Sequence, residues 1–170
     1  MKYSMRGNVD PFIVMDVMEN ARKAEEGGRK IIHMEVGQPS TAAPSGALER
    51  TSQIIKSNPL GYTVALGLPE LRKKISNLYG RWYNLDIDPS RIIVTSGSSG
   101  AFILSFTALF EEGARVGIGA PGYPSYRQIL KSLGISPVDI VTNLENKFQP
   151  TAKDVVSQNI DGLLVASPSN

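Results

Sequence analysis

Short apolar runs alternate with stretches of helical periodicity along most of the chain. Five runs rich in β-branched residues predict strands, and they are Ile31 to Val36, Arg91 to Thr95, Ala114 to Gly119, Ile135 to Val141 and Gly162 to Ala166. Helical stretches separate them. Repetition of strand, helix and strand predicts an α/β fold whose mainly parallel sheet has right-handed crossovers and helices on both faces.

The helical stretches have recognisable beginnings and ends. The predicted helices are one capped by Asp10 and opened by Pro11, one from Ser45 to Lys56, one opened by Pro69, one from Ser98 to Phe110, one carrying the apolar stripe from Tyr126 to Leu133, and a short one after a capping box of Thr151 and Asp154. The stretch from Ser98 to Phe110 is apolar on most faces, which is typical of a buried helix.

Composition excludes several classes of function. The 170 residues are 41% hydrophobic with a formal net charge of +2, so they can bury a core and carry no long basic run for nucleic acid. Without cysteine, and with His33 as the lone histidine, we expect no metal site, and His33 is interpreted as a structural residue on a strand. No apolar run is long enough for a membrane span, so a soluble, cytoplasmic protein is expected.

The segments that follow the strands are where an open α/β sheet binds ligands. Thr95 to Gly100, with the sequence TSGSSG, follows a predicted strand and opens a helix. Its backbone N–H groups, hydroxyls and helix dipole favour an anion there, and a phosphate above all. The alternative is an ordinary serine-capped turn between a strand and a helix.

Two further strand ends carry candidate chemistry. Tyr123, between two prolines, can present a flat ring to a planar ligand, or it can pack in the core or at the helix entry. The chain closes on Ser167 to Asn170, which puts a polar amide after the last predicted strand. Three strand ends would thus supply an anion site, an aromatic face and an amide.

Five short motifs occur in order along the chain. They are VGQP at 36–39, Tyr62 followed by GLPELR at 67–72, TSGSSGA at 95–101, PGYPSY at 121–126 and SPSN at 167–170. Their order and approximate spacing resemble those of the class I and II aminotransferases, enzymes that depend on pyridoxal 5'-phosphate. The resemblance spans nearly the whole chain and implies the three-layer αβα fold of the large domain of these enzymes.

The resemblance implies roles for residues around the cofactor phosphate. Gly97, Ser98 and Ser99 fall on the phosphate-binding turn of the family. Tyr62 resembles the tyrosine that reaches the cofactor phosphate of the neighbouring subunit, which implies a homodimer; the alternative for Tyr62 is plain packing.

It also implies roles around the cofactor ring and the substrate. Tyr123 matches the aromatic residue that stacks on the pyridine ring, and Asn170 matches the asparagine that binds the phenolic oxygen. Gly37 falls in the loop near the substrate carboxylate, where the alternative is a glycine that only allows a turn. No residue of the chain matches the lysine that forms the Schiff base, so no catalytic residue is assigned.

The function implied is that of the N-terminal part of an aminotransferase acting on an amino acid and a 2-oxo acid. We expect residues 1–43 to form an N-terminal arm and small-domain segment and residues 44–170 the first part of the cofactor-binding domain, with the remainder absent. Such a chain alone is expected to be inactive and poorly stable. Two alternatives stay open, namely a lyase of the same fold and a non-catalytic module with a regulatory or dimerising role.

Overall fold

A computed structural model describes residues 3–168 of the chain. The chain forms two compact units. One unit combines the residues up to Ile13 with those from Ser96 onward, and the other runs from Val14 to Thr95. The predicted division into residues 1–43 and 44–170 concerns the domains of the whole protein and stays a prediction.

Six α-helices and three strands make up the described part of the chain. The helices are α1 (Ile13–Glu26), α2 (Ser45–Ser57), α3 (Pro69–Tyr83), α4 (Gly97–Leu109), α5 (Pro124–Ser132) and α6 (Ala152–Val156). The strands are β1 (Arg115–Ala120), β2 (Ser136–Val141) and β3 (Gly162–Leu164), and short 3₁₀ helices lie at Met5–Gly7 and Pro89–Arg91.

The three strands form one parallel sheet in the order β2-β1-β3. Parallel pairing requires a crossover between successive strands, and α5 and α6 lie in the two connections. A buried apolar cluster packs β1 against α4 and α5, and its members are Phe106, Val116, Ile118, Leu130 and Ile135. The structure therefore confirms the predicted α/β class and the parallel sheet.

Two of the five predicted strands are not strands in the structure, so these predictions are wrong. Residues 31–36 and 92–95 run as irregular chain in the structure. In the second stretch, the Val94 N–H donates to the Leu66 carbonyl oxygen at 3.0 Å, which is a single bond to a loop and not a ladder. Since a strand exists only with a hydrogen-bonded neighbour, apolar β-branched sequence alone is not sufficient to form one.

The first helix begins later than the sequence predicts. Helix α1 starts at Ile13, so Asp10 and Pro11 are not its cap and first residue. The Asp10 carboxylate instead accepts a hydrogen bond from Lys131 Nζ of α5 at 2.6 Å. An ion pair within the sheet-containing unit has replaced the predicted helix cap.

Helix α4 is less buried than its composition indicates. Phe106 is the buried residue of this helix, whereas Ile103 and Leu104 are about half exposed. The remaining predicted helices lie where expected, and the capping box of Thr151 and Asp154 opens α6. Between residues 3 and 168, no helix has both the length and the apolar character that a membrane span needs.

Candidate functional site

The first turn of α4 contains the predicted phosphate-binding residues Gly97, Ser98 and Ser99. Gly97 has a φ of +73° and open space where a Cβ would stand, so its backbone conformation, and not crowding, favours glycine. Ser96 occupies the N-cap without making a side-chain cap bond, and the turn carries no acidic side chain. An anion is therefore not repelled there, and the N–H groups of a helix start favour it.

Tyr123 lies at the N-cap of α5, directly after the turn that follows β1. Pro124 opens the helix because its fixed φ suits the first helical position. Tyr123 is 37% exposed, and its ring makes T-shaped contacts with Phe12, at 6.2 Å between ring centroids, and with Tyr126, at 5.3 Å. The ring therefore packs against two aromatic neighbours while part of the residue remains accessible.

Aromatic packing connects Tyr123 with the helix of the phosphate turn. Tyr126 of α5 contacts Phe102 of α4 edge to face, with 4.9 Å between the ring centroids. Phe102 in turn stacks on Phe106 of the buried cluster. The turn at the start of α4 and the ring at the start of α5 therefore belong to one packed unit.

A cavity of about 300 Å³ lies beside Tyr123, between the turn after β1 and the loop after β2. Its lining residues are Pro121, Gly122, Tyr123, Pro124 and Phe148. The sequence reasoning missed Phe148, which has a φ of +56° and follows Lys147 at +53°. Two successive non-glycine residues in the left-handed region are uncommon, and the loop sequence has no glycine to signal them.

Gly37 and Tyr62 lie in the other unit, between Val14 and Thr95. Tyr62 is fully exposed, and Gly37 has open space around it without a positive φ. The Gln38 N–H donates to the Val36 carbonyl oxygen at 2.9 Å, so Gly37 lies in the middle of a tight turn. The predicted roles of Gly37 and Tyr62 stay predictions, and Asn170 lies outside the described residues.

His33 is exposed and lies on irregular chain, not on the predicted strand. Its Nδ1 is 2.6 Å from Glu35 Oε1 and its Nε2 is 3.1 Å from Glu25 Oε1 of α1. Hydrogen bonds to Glu35 and then to Glu25 raise the pKa of His33. The imidazole therefore holds an irregular segment against the end of α1.

A larger open depression, of about 890 Å³, lies along the second half of α3. Lys74, Asn77 and Arg81 are among its lining residues. None of the predicted site residues that the structure describes lines it, and most of its lining residues are polar or charged, unlike the largely apolar lining of a small-molecule site.

A family model and a curated relative, both of aminotransferases, match this chain. The family model for aminotransferase class I and II matches residues 29–170. The valine–pyruvate aminotransferase of Mycobacterium tuberculosis is 39% identical over 171 residues, which cover 99% of this chain and 44% of that protein.

Solved structures agree in fold. An aminotransferase from Mycobacterium tuberculosis superposes with a TM-score of 0.95 at 39% identity, covering 100% of this chain and 44% of the other. A candidate aminotransferase from Silicibacter pomeroyi gives a TM-score of 0.88 at 57% identity, covering 100% and 43%. The chain thus spans a little under half the length of these relatives.

Proposed function

This chain belongs to the class I and II aminotransferase family, and from that premise we propose that its parent protein is a pyridoxal 5'-phosphate enzyme of the cytoplasm. The enzyme transfers an amino group between an amino acid and a 2-oxo acid. One observation carries the proposal. The anion-compatible first turn of α4 and the accessible Tyr123 ring follow one another along the chain and belong to one packed unit.

The residues present fit the cofactor. Ser98 and Ser99 are exposed in the first turn of α4 and offer hydroxyl and N–H donors to a phosphate group. Tyr123 is partly exposed, which suits stacking on a planar heteroaromatic ring, and the cavity beside it is lined mainly by apolar side chains. Asn170 is proposed to bind the phenolic oxygen, on the strength of its match to the family motif.

Pyridoxal phosphate, when bound, supplies an electron sink for reactions at the α-carbon of an amino acid. The residues of this chain bind and orient it. The start of α4 holds the phosphate, and Tyr123 fixes the plane of the ring. We propose that Gly37 lies near the substrate carboxylate and that Tyr62 reaches the cofactor phosphate across a homodimer interface.

The activity is proposed for the whole protein, because the chain covers 44% of a related aminotransferase. The chain contributes cofactor-binding residues, and we propose no catalytic residue within it. Since this chain is 39% identical to a valine–pyruvate aminotransferase, valine with pyruvate is the first substrate pair to assay.

A charge placed in the phosphate turn tests the proposal. Ser98→Asp puts a carboxylate where a phosphate group would bind. We expect the affinity for pyridoxal phosphate to fall by about tenfold or more, because the carboxylate repels the phosphate and replaces a hydroxyl whose hydrogen bond to a charged group contributes about that much. The affinity is measured by absorbance titration of the protein. Ser45→Asp, in the first turn of α2, is the matched control because it adds the same charge to another helix start.

Equal affinities for Ser98→Asp and the unaltered protein would overturn the assignment of the phosphate turn. Formation of alanine and 2-oxoisovalerate from valine and pyruvate would separate an aminotransferase from a lyase, because a lyase does not pass the amino group to an acceptor. Absence of amino transfer with every amino acid tried would contradict the proposed activity while leaving the cofactor site standing.

A further inference from the structure

Thr142 is a buried polar residue, with 5% of its surface exposed. It directly follows β2, and both of its donors go to one acceptor. Its backbone N–H donates to the Ala120 carbonyl oxygen at 2.8 Å, and its hydroxyl donates to the same oxygen at 3.1 Å. A carbonyl oxygen has two lone pairs, so the two bonds satisfy it completely.

Ala120 is the last residue of β1 and the first residue of the turn that leads to Tyr123. This turn is tightly folded. A Cβ on Gly122 would stand 2.4 Å from the Gly119 carbonyl oxygen, so the chain passes directly over the end of its own strand. Movement of the Ala120 carbonyl would therefore be transmitted through Pro121 and Gly122 to Tyr123.

The hydroxyl of Thr142 is not needed to complete the sheet. The backbone N–H bond to Ala120 continues the β1–β2 ladder by one residue, and any amino acid except proline would supply it. Valine would fill nearly the same volume and would leave no buried polar group unpaired. The hydroxyl adds a second bond at the one strand end that leads into the Tyr123 turn.

We propose that Thr142 is a positioning residue for Tyr123. Its hydroxyl holds the Ala120 carbonyl, which fixes the turn and with it the plane of the Tyr123 ring. The Tyr123 ring also makes T-shaped contacts with Phe12 and Tyr126, so the side chain has fixed neighbours of its own beside the fixed backbone. The expected effect of Thr142 on cofactor binding rests on the proposed function, in which Tyr123 stacks on the pyridine ring of the cofactor.

The first test observes the Tyr123 ring by NMR in the protein without any ligand. Tyrosines are replaced by 3-fluorotyrosine, and the Tyr123 signal in the ¹⁹F NMR spectrum is assigned by its loss in Tyr123→Phe. We expect Thr142→Val to broaden this signal or move it by more than its line width, and Thr142→Ser to restore it. Thr51→Val is the matched control, since the Thr51 hydroxyl donates to the Ala47 carbonyl oxygen at 2.8 Å in α2.

The second test measures affinity for pyridoxal phosphate in a double-mutant cycle. Thr142→Val is expected to weaken binding by about three- to tenfold, the range of one hydrogen bond, and to have no further effect in a Tyr123→Leu background. If Thr142→Val does not fold, as judged by circular dichroism, Thr142→Ala removes the hydroxyl without any added bulk.

The outcomes separate the two proposals. An unchanged ¹⁹F signal in Thr142→Val overturns the positioning role, whatever the cofactor does. A changed signal in this chain, together with a full-length parent protein that never binds pyridoxal phosphate, supports the positioning role and contradicts the proposed function. Additive effects of Thr142→Val and Tyr123→Leu on affinity would mean that Thr142 acts on the cofactor by another route, which also overturns the inference.

Discussion

His33 is the lone histidine of the chain, so any change of stability that follows imidazole titration can be assigned to it. Glu35 and then Glu25 raise its pKa. Its stabilising effect is complete below the unfolded pKa of about 6.5 and is lost as the pH rises through the higher folded pKa. We expect the urea midpoint to fall between about pH 6 and pH 8.

His33→Gln should remove this fall, because glutamine does not titrate. Besides Glu25 and Glu35, the charged groups that share the depression around His33 are Glu19 and Arg22 of α1, and Arg22 lowers the pKa of Glu19 to about 2. That pair does not titrate in this range. An equal loss of stability in His33→Gln over the same pH interval would contradict the prediction.

Residues with a local signal could be predicted from sequence, and residues held by distant contacts could not. The turn from Thr95 to Gly100 has such a signal, because a predicted strand, a glycine-serine sequence and a predicted helix follow one another, and the family resemblance then implies Gly97, Ser98 and Ser99 within it. The structure places them at a helix start. Thr142 and Phe148 carry no such signal, since their importance depends on the Ala120 carbonyl and the Tyr123 cavity, over 20 residues away in sequence.

Strand β3 is closely packed at Gly162. A Cβ on Gly162 would stand 2.4 Å from Phe110 Cζ, so the ring of Phe110 occupies the space that a side chain would need. We expect Gly162→Ala to destabilise the protein by about 1–3 kcal/mol through overpacking, measured by urea denaturation.

Gly46→Ala in the first turn of α2 is the control for that change. Nothing lies within 4 Å of a Cβ built there, so the same substitution should be neutral or stabilising by up to about 1 kcal/mol. If Gly162→Ala were as stable as Gly46→Ala, the close packing of β3 on Phe110 would be incorrect.

Helices were easier to predict than strands for a physical reason. The bounds of α2 and α3 follow from breakers and apolar periodicity within each segment. A strand depends on a neighbour elsewhere in the chain, and the apolar runs at 31–36 and 91–95 have no such neighbour among the described residues. Helix α1 also begins later than predicted, and Asp10, the predicted cap, is instead paired with Lys131 of a helix distant in sequence.

In the whole molecule, burial is concentrated in one unit. Between Val14 and Thr95, where every residue is described, no residue is buried, whereas Val116, Leu130 and Ile140 are almost completely buried in the sheet-containing unit. Hydrogen exchange should therefore be slow for the amides of β1 and β2 and fast for those of α1, α2 and α3.

Mass spectrometry of exchanged peptides measures this difference. The prediction concerns the 170-residue chain, in which apolar side chains such as Trp82 and Leu104 are more than half exposed. Equal protection of both units would show that residues 14–95 are stabilised by contacts other than burial.

The strand order also bears on how the protein is made. β1 is the central strand, yet the ribosome releases it before either of its neighbours, so the sheet must grow outward from its middle during translation. β2 follows after one short helix and closes one side of β1, while the other side waits until β3 has emerged. In that interval an apolar strand edge is open to other nascent chains, and this is the stage at which we expect aggregation to compete with folding.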